Sequence, residues 1–116
     1  IVDHLQISGI FQTRKLDLNL IQKFLGVNGH LIKTQRREVG MARRYLAYLI
    51  HVKLGHTLRL TGEILGGKDH TTMVSAIKRH YEGVETKDSM YSNITNGLDK
   101  DIEYFKNYGH NLTARI

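Results

Sequence analysis

The sequence has no cysteine and no proline, and it has no apolar run long enough to cross a membrane. Without cysteine the chain forms no disulfide bond and no cysteine-ligated metal site, which is common among cytoplasmic proteins. A membrane-spanning helix needs roughly 20 apolar residues, and neither such a run nor a secretory signal is present. These absences favour a cytoplasmic protein that does not contact a membrane.

The chain has 116 residues, enough for one domain with a modest core. Because no proline interrupts the helices and apolar residues recur every three or four positions, the expected fold class is all-α. The first residue is Ile rather than Met, which leaves open that the chain is part of a longer protein with further domains.

Positive charge is concentrated in the middle of the chain. The net charge is +6, and residues 33 to 80 hold ten Lys/Arg against three Asp/Glu, a net of +7. The segments on either side carry +1 and −2. A solvated basic surface is the simpler interpretation. A binding surface for a polyanion is favoured, because a helix-turn-helix pattern lies in the same segment.

Residues 57 to 82 have the pattern of two helices joined by a glycine turn. Thr57 and Asp69 stand where N-caps are expected, and Gly66 and Gly67 can adopt the positive φ of a sharp turn. The predicted inward face of the second helix consists of Met73, Val74, Ile77 and Tyr81. An ordinary helical hairpin has the same outline. The Lys-Asp-His-Thr-Thr run at the second helix start favours a helix-turn-helix, because it offers varied polar groups to base edges.

Three further segments have helical periodicity, at residues 17 to 26, 39 to 54 and 89 to 107. The predicted core positions of the middle segment are Met41, Tyr45, Leu46, Leu49, Ile50, Val52 and Leu54. Those of the last are Met90, Ile94, Leu98, Ile102 and Phe105. Residues 1 to 16 are an arm of uncertain structure. Residues 83 to 116 are expected to pack on the same domain as a C-terminal helix and tail.

Arg43 and Arg44 stand near the start of the helix predicted at residues 39 to 54. Cations at that end oppose the helix dipole, which favours negative charge there. A bound anion beside the helix start would offset the cost, so the pair indicates an anion-binding surface.

Seven histidines raise the alternative of a metal site or an enzyme. A metal site needs three or four converging ligands, and the sequence has no His-x-x-x-His or His-Glu pair. His51 and His56 are five residues apart and do not share a helix face well. We therefore expect no catalysis, no metal and no cofactor.

The segment from Arg36 to His80 resembles the C-terminal DNA-binding domain of the bacterial replication initiator DnaA. That family opens its recognition helix with Gly-Gly-Arg-Asp-His-Thr-Thr, and residues 66 to 72 match this signature with Lys68 in place of arginine. The resemblance covers residues 17 to 82, with Gly62 at the family's glycine.

The chain departs from the family at three positions. Lys68 lacks the bidentate geometry of arginine, which affects the readout of a guanine. Ala42 replaces a proline, and Thr61 replaces an aliphatic residue. The nucleotide-binding loop of the initiator's ATPase domain has no counterpart in this sequence, so the resemblance does not imply origin melting.

The resemblance implies a Trp-repressor-like helical domain that binds double-stranded DNA with its recognition helix in the major groove. Asp69 would accept from a cytosine amino group, and His70 would pack against a thymine methyl group. Arg43 would enter the adjacent minor groove, while Lys33 and Arg37 would hold the backbone. The expected DNA-binding residues are Lys33, Arg36, Arg37, Arg43, Lys68, Asp69, His70, Thr71, Thr72, Ser75, Lys78 and Arg79.

The resemblance also implies initiator-box-like sites, of the TTATCCACA kind, and a role in replication initiation or its regulation at the nucleoid. Two alternatives stay open. One is a stand-alone transcriptional regulator of a mobile element that binds similar sites. The other is a protein-interaction module that modulates the initiator without binding DNA. The acidic C-terminal helix is a candidate surface for a protein partner, and the oligomeric state stays open.

Overall fold

Six α-helices and no β-strand form the part of the chain that the computed structural model describes, residues 16–34 and 36–108. The all-α prediction is confirmed. In chain order the helices are α1 (Leu18–Val27), α2 (His30–Lys33), α3 (Arg37–Tyr48), α4 (Leu58–Ile64), α5 (His70–Glu85) and α6 (Ser89–Tyr108). Within these described stretches, no helix combines the length and the apolar character that crossing a bilayer requires. The expectations for residues 1–15 and for the tail at 109–116 lie outside them.

The first helix begins where the sequence predicts. The Asp17 carboxylate accepts a hydrogen bond from the Leu20 amide at 2.8 Å, which caps α1. On its buried face, the Phe24 ring meets Phe105 of α6 edge to face, with the ring centroids 5.8 Å apart. The first and last helices therefore share one core.

The predicted helix at residues 39 to 54 is not one regular α-helix. A π-helical turn, Leu49–Lys53, follows α3, and the Leu54 amide donates to the Leu49 carbonyl at 2.9 Å. The wider turn rotates the residues that follow it out of the α-helical register. Val52 is therefore 42% exposed, and its predicted core position is wrong. The predicted core positions that are buried are Met41, Leu46, Leu49 and Ile50, while Tyr45 and Leu54 are half-buried.

The inward face of α5 differs from the predicted one. Met73 is buried as predicted, but Val74 and Tyr81 are 49% and 45% exposed, so their assignment to the core is wrong. His80 is buried in their place, with 5% of its surface exposed. Met73 and His80 are two helical turns apart and share a face. That face points His80 at aromatic rings of α3 and α6.

The last helix packs on α1, α3 and α5. Leu98, Ile102 and Phe105 belong to the main core, as predicted. Met90 is exposed, so its predicted core position is wrong, and its neighbour Tyr91 is buried. Tyr91 takes the inward position because its hydroxyl has a hydrogen-bond partner on α5.

The turn between α4 and α5 brings two stretches of backbone into close contact. The Gly62 carbonyl accepts from the Gly67 and Lys68 amides, each at 2.9 Å. A Cβ atom on Gly62 would overlap the Lys68 carbonyl oxygen. Gly66 and Gly67 have φ values of 101° and 78°, in the left-handed region that glycine adopts most readily. The predicted helix-glycine turn-helix is therefore present, and it requires glycine at three positions.

Two threonine hydroxyl groups form hydrogen bonds with backbone groups at the start of α4. Thr57 caps the helix as predicted, since its hydroxyl accepts from the Leu60 amide at 3.0 Å. The hydroxyl of the fully buried Thr61 donates to the Thr57 carbonyl at 2.7 Å. This bond explains how a threonine replaces the family's aliphatic residue in the core without leaving an unpaired polar group.

Replacing Gly62 by alanine should lower the free energy of unfolding by at least about 2 kcal/mol, because the overlapping atoms belong to the backbone and cannot rotate away. The matched control is Gly97→Ala at an exposed position of α6, where a Cβ atom would have no neighbouring atom within 4 Å. The control should raise the free energy of unfolding by about 0.5–1 kcal/mol. Urea unfolding followed by circular dichroism measures both, and similar effects of the two substitutions would contradict this account.

Candidate nucleic-acid interface

The recognition helix α5 begins with an exposed, capped first turn. The Asp69 carboxylate accepts from the Thr72 amide at 2.8 Å, which confirms the predicted cap. This hydrogen bond is the main cause that lowers the pKa of Asp69, so the group is ionised at neutral pH. His70 and Thr71 follow it and are also exposed. The turn therefore presents an acceptor, an imidazole and a hydroxyl to solvent.

A cleft of about 430 Å³ separates α5 from the first part of α3. It is lined by Gly40, Arg43, Arg44, Lys68, Thr71, Thr72, Met73, Ser75, Ala76 and Arg79. Four of these side chains are cationic, three carry a hydroxyl group and none is a carboxylate. Guanidinium, ammonium and hydroxyl donors together suit an anion of the size of a phosphate group.

The predicted DNA-binding residues fall into three places. Those that line the cleft are Arg43, Lys68, Thr71, Thr72, Ser75 and Arg79. Those that are exposed at the start or along the outer face of α5, outside the cleft, are Asp69, His70 and Lys78. Those exposed at the end of α2 or the beginning of α3 are Lys33, Arg36 and Arg37. We call the connection from Lys33 to Arg37 the basic segment.

Arg44 lines the cleft but is absent from the predicted DNA-binding set. Its position beside Arg43 at a helix start was the signal that could have placed it there, because that pair indicated an anion site. The resemblance to the family implies a DNA contact for Arg43 and none for Arg44.

Arg43 has partners that the sequence does not reveal. Its Nη1 donates to the Leu31 carbonyl at 3.1 Å and to the Thr34 carbonyl at 2.9 Å. Burial lowers the pKa of its guanidinium from the ordinary value. The side chain thus extends from α3 to α2, and a contact with a minor groove would require it to leave both carbonyls.

Behind the recognition helix lies an aromatic cluster of Tyr45, Tyr48, His80, Tyr81 and Tyr91. The His80 ring stacks on Tyr48 with centroids 4.0 Å apart, and its Nδ1 is 2.7 Å from the Tyr91 hydroxyl. Burial lowers the pKa of His80, which favours the neutral ring. The Tyr91 hydroxyl can then donate to Nδ1, and α5 is fixed to α6 from inside the fold.

A second hydroxyl connects the aromatic cluster to α6. The Tyr45 hydroxyl donates to Asp99 Oδ1 at 2.6 Å. Burial and this hydrogen bond raise the pKa of Tyr45, so its hydroxyl stays protonated. α6 also approaches Gly83 closely, since a Cβ atom there would lie 2.7 Å from the Tyr91 ring. The C-terminal half of α5 is therefore held on two sides, by α3 and by α6.

The fold and the interface define the class of protein: a helix-turn-helix domain of the DNA-binding kind. In residues 16–34 and 36–108, no three histidine or carboxylate side chains converge as metal ligands would. The family model described as bacterial dnaA protein helix-turn-helix matches residues 18–79. The chain therefore belongs to the bacterial DnaA helix-turn-helix family, and the resemblance inferred from its sequence is confirmed.

One curated relative is the chromosomal replication initiator protein DnaA of Mycoplasma capricolum subsp. capricolum. The two are 32% identical over 100 residues, which cover 85% of this chain and 20% of the relative. The chain thus spans about a fifth of the length of the curated relative it matches. No solved structure gives a significant match.

Acid should destabilise the fold through His80. Because burial lowers its pKa below the ordinary 6.5, the unfolded chain binds this proton at a higher pH than the folded chain does. The contribution of His80 to stability is therefore complete above pH 6.5 and is lost as the pH falls below it. His80→Phe, which keeps a ring against Tyr48, should flatten the free energy of unfolding between pH 7.5 and 5.0. An unchanged pH dependence in urea unfolding of this variant would show that His80 is not responsible.

Proposed function

We propose that this chain binds double-stranded DNA sequence-specifically, with α5 in the major groove and the basic segment along the backbone. The observation that supports this most strongly is the cleft beside the exposed start of α5. Its lining has four cationic side chains and no carboxylate. These donors suit a phosphate of the DNA backbone. A phosphate bound in the cleft would fix the register of α5 on the duplex, so that base edges meet its first turn.

Asp69 and His70 are the proposed base-reading residues. The cap uses Asp69 Oδ1, and a carboxylate has further lone pairs that can accept from a cytosine amino group. The exposed His70 ring is placed to pack against a thymine methyl group. Lys68 offers a single ammonium group where the family has the planar guanidinium of arginine. We therefore propose that this chain discriminates less strictly between bases at the position that Lys68 faces.

Phosphate contacts are proposed for the cleft and the basic segment. In the cleft the donors are Arg44, Arg79 and Ser75, and in the basic segment they are Lys33, Arg36 and Arg37. Thr71, Thr72 and Lys78 complete the set on the recognition helix. Arg43 is the proposed minor-groove contact, for which its Nη1 would leave the Leu31 and Thr34 carbonyls.

We further propose that the sites are initiator-box-like and that the role is in replication initiation or its regulation, in the cytoplasm at the nucleoid. The support is family membership and the name of the relative, a chromosomal replication initiator protein. The cationic cleft and the exposed polar helix start favour DNA binding over an interaction module that has lost it.

The chain should bind a duplex carrying the TTATCCACA sequence more tightly than a scrambled duplex of the same composition. Fluorescence anisotropy at several salt concentrations measures both affinities. His70→Ala should weaken binding to the specific duplex by about 1–3 kcal/mol and reduce the difference between the two duplexes. Undetectable binding to both at low salt would refute DNA binding. Equal affinities for the two duplexes, with a steep salt dependence, would show that the interaction is only electrostatic and not sequence-specific.

Asp69 should have separable structural and base-reading roles. Asparagine caps helices about as well as aspartate, so Asp69→Asn should retain stability, whereas Asp69→Ala should lose about 1 kcal/mol. Both variants should lose discrimination at the cytosine, because alanine has no acceptor and the asparagine amide carries donors as well as an acceptor. Thermal unfolding and anisotropy on duplexes altered at that base pair test the two roles. Full discrimination by Asp69→Asn would restrict Asp69 to capping.

A further inference from the structure

Val74 is an exposed apolar side chain in the second turn of the recognition helix. It is 49% exposed, although the periodicity of α5 predicts it in the core. It follows His70 by four residues and precedes Lys78 by four, so the three side chains lie on one face of the helix. Its neighbours Met73 and Ser75 line the cleft, whereas Val74 lies outside it. Val74 therefore shares the face of α5 that carries the proposed base-reading residue His70.

The neighbours of Val74 distinguish it from other exposed valines. A single exposed apolar residue is normal on a protein surface, and Val84, near the end of α5, is 56% exposed. Val74, however, stands one turn after a proposed base contact, His70, and one turn before a proposed phosphate contact, Lys78. Both of these side chains are exposed. A side chain between two such contacts enters the groove with them, so docking of α5 would cover Val74 with base edges.

The chemistry of the major groove limits what Val74 can favourably meet. The C5-methyl group of thymine is the apolar group that base pairs display there. Against a cytosine amino group or a purine acceptor, the valine methyl groups would displace water without replacing its hydrogen bond, which is unfavourable. An α-helix rises about 1.5 Å per residue, so Val74 lies about 6 Å beyond His70 along the helix. This distance corresponds to roughly two base-pair steps of about 3.4 Å.

We propose that Val74 is a specificity-determining residue that packs against the methyl group of a thymine. This thymine lies about two base pairs from the one that His70 contacts. The inference rests on the proposed function, to which it adds an apolar contact made by the second turn of α5. Thymine at this position is preferred over cytosine, and also over uracil, which lacks the methyl group.

Replacing single thymidines by deoxyuridine tests the contact, because deoxyuridine pairs in the same way and differs only in the missing methyl group. Each thymidine of the two strands of the TTATCCACA duplex is replaced in turn, and fluorescence anisotropy measures the affinity. One replacement should weaken binding of the unsubstituted chain about fourfold, as expected for one buried methyl group. The same replacement should weaken binding of Val74→Ala by less than about 1.5-fold, because the valine methyl groups that meet the thymine are gone.

His70→Ala in the same cycle separates the two residues. The effect of His70→Ala should be coupled to a different thymidine, while the coupling of Val74 to its own thymidine persists. If no replacement is coupled to Val74, its role is overturned, while a preference for the TTATCCACA duplex over a scrambled one leaves the proposed function intact. If the unsubstituted chain binds neither duplex, the proposed function is overturned together with this inference.

Val84→Ala is the matched control. It is the same substitution at another exposed position of α5, about 15 Å further along the helix. It should leave the affinity and every deoxyuridine effect unchanged, and equal effects of the two substitutions would overturn the proposal. Thermal unfolding checks that the variants fold. If Val74→Ala does not fold, Val74→Thr enters the same cycle, because it keeps the branched shape and replaces one methyl group by a hydroxyl group.

Discussion

The backbone contact between Gly62 and Lys68 is the constraint on which the interface depends. The Gly62 carbonyl accepts two amides across the turn, so α4 and the approach to α5 are joined by backbone atoms alone. These hydrogen bonds are direct, and no Cβ fits at Gly62 because it would overlap the Lys68 carbonyl oxygen. The direction in which the chain leaves the turn is thereby fixed. It places the Asp69 cap, and with it the exposed first turn of α5, next to the start of α3.

The other end of the recognition helix is held by side chains. The aromatic cluster stacks His80 on Tyr48 of α3 and pairs it with the Tyr91 hydroxyl of α6. A histidine can do this because its ring is flat enough to stack and retains a nitrogen that accepts a hydrogen bond. His80 and Tyr91 lie beyond the segment that the family model matches, residues 18–79. The C-terminal helix therefore contributes to the orientation of a motif that it does not belong to.

The features that the sequence predicted correctly depend on local physics. The caps at Thr57 and Asp69 and the glycine turn need only neighbouring backbone groups, so residue type and spacing were enough. The exposed Val52 could not be predicted, because the helical periodicity of residues 39 to 54 gives no sign of the π-helical turn that shifts the register. The burial of His80 in place of Val74 required the positions of two other helices. The carbonyl partners of Arg43 could not be predicted for a similar reason, since they come from a separate segment of the chain.

The arrangement of charge favours an anion in the cleft. Among the described residues, the ion pairs join Arg59 to Glu63 and Lys106 to Glu103, and neither pair lies in the cleft. The lining of the cleft therefore combines four cationic side chains with no carboxylate, an arrangement that attracts an anion. In the proposed complex, a phosphate in the cleft would be attracted by these cations and would release counterions from the DNA. Binding would then be sensitive to salt, and base recognition by the first turn of α5 would supply the selectivity that charge alone does not.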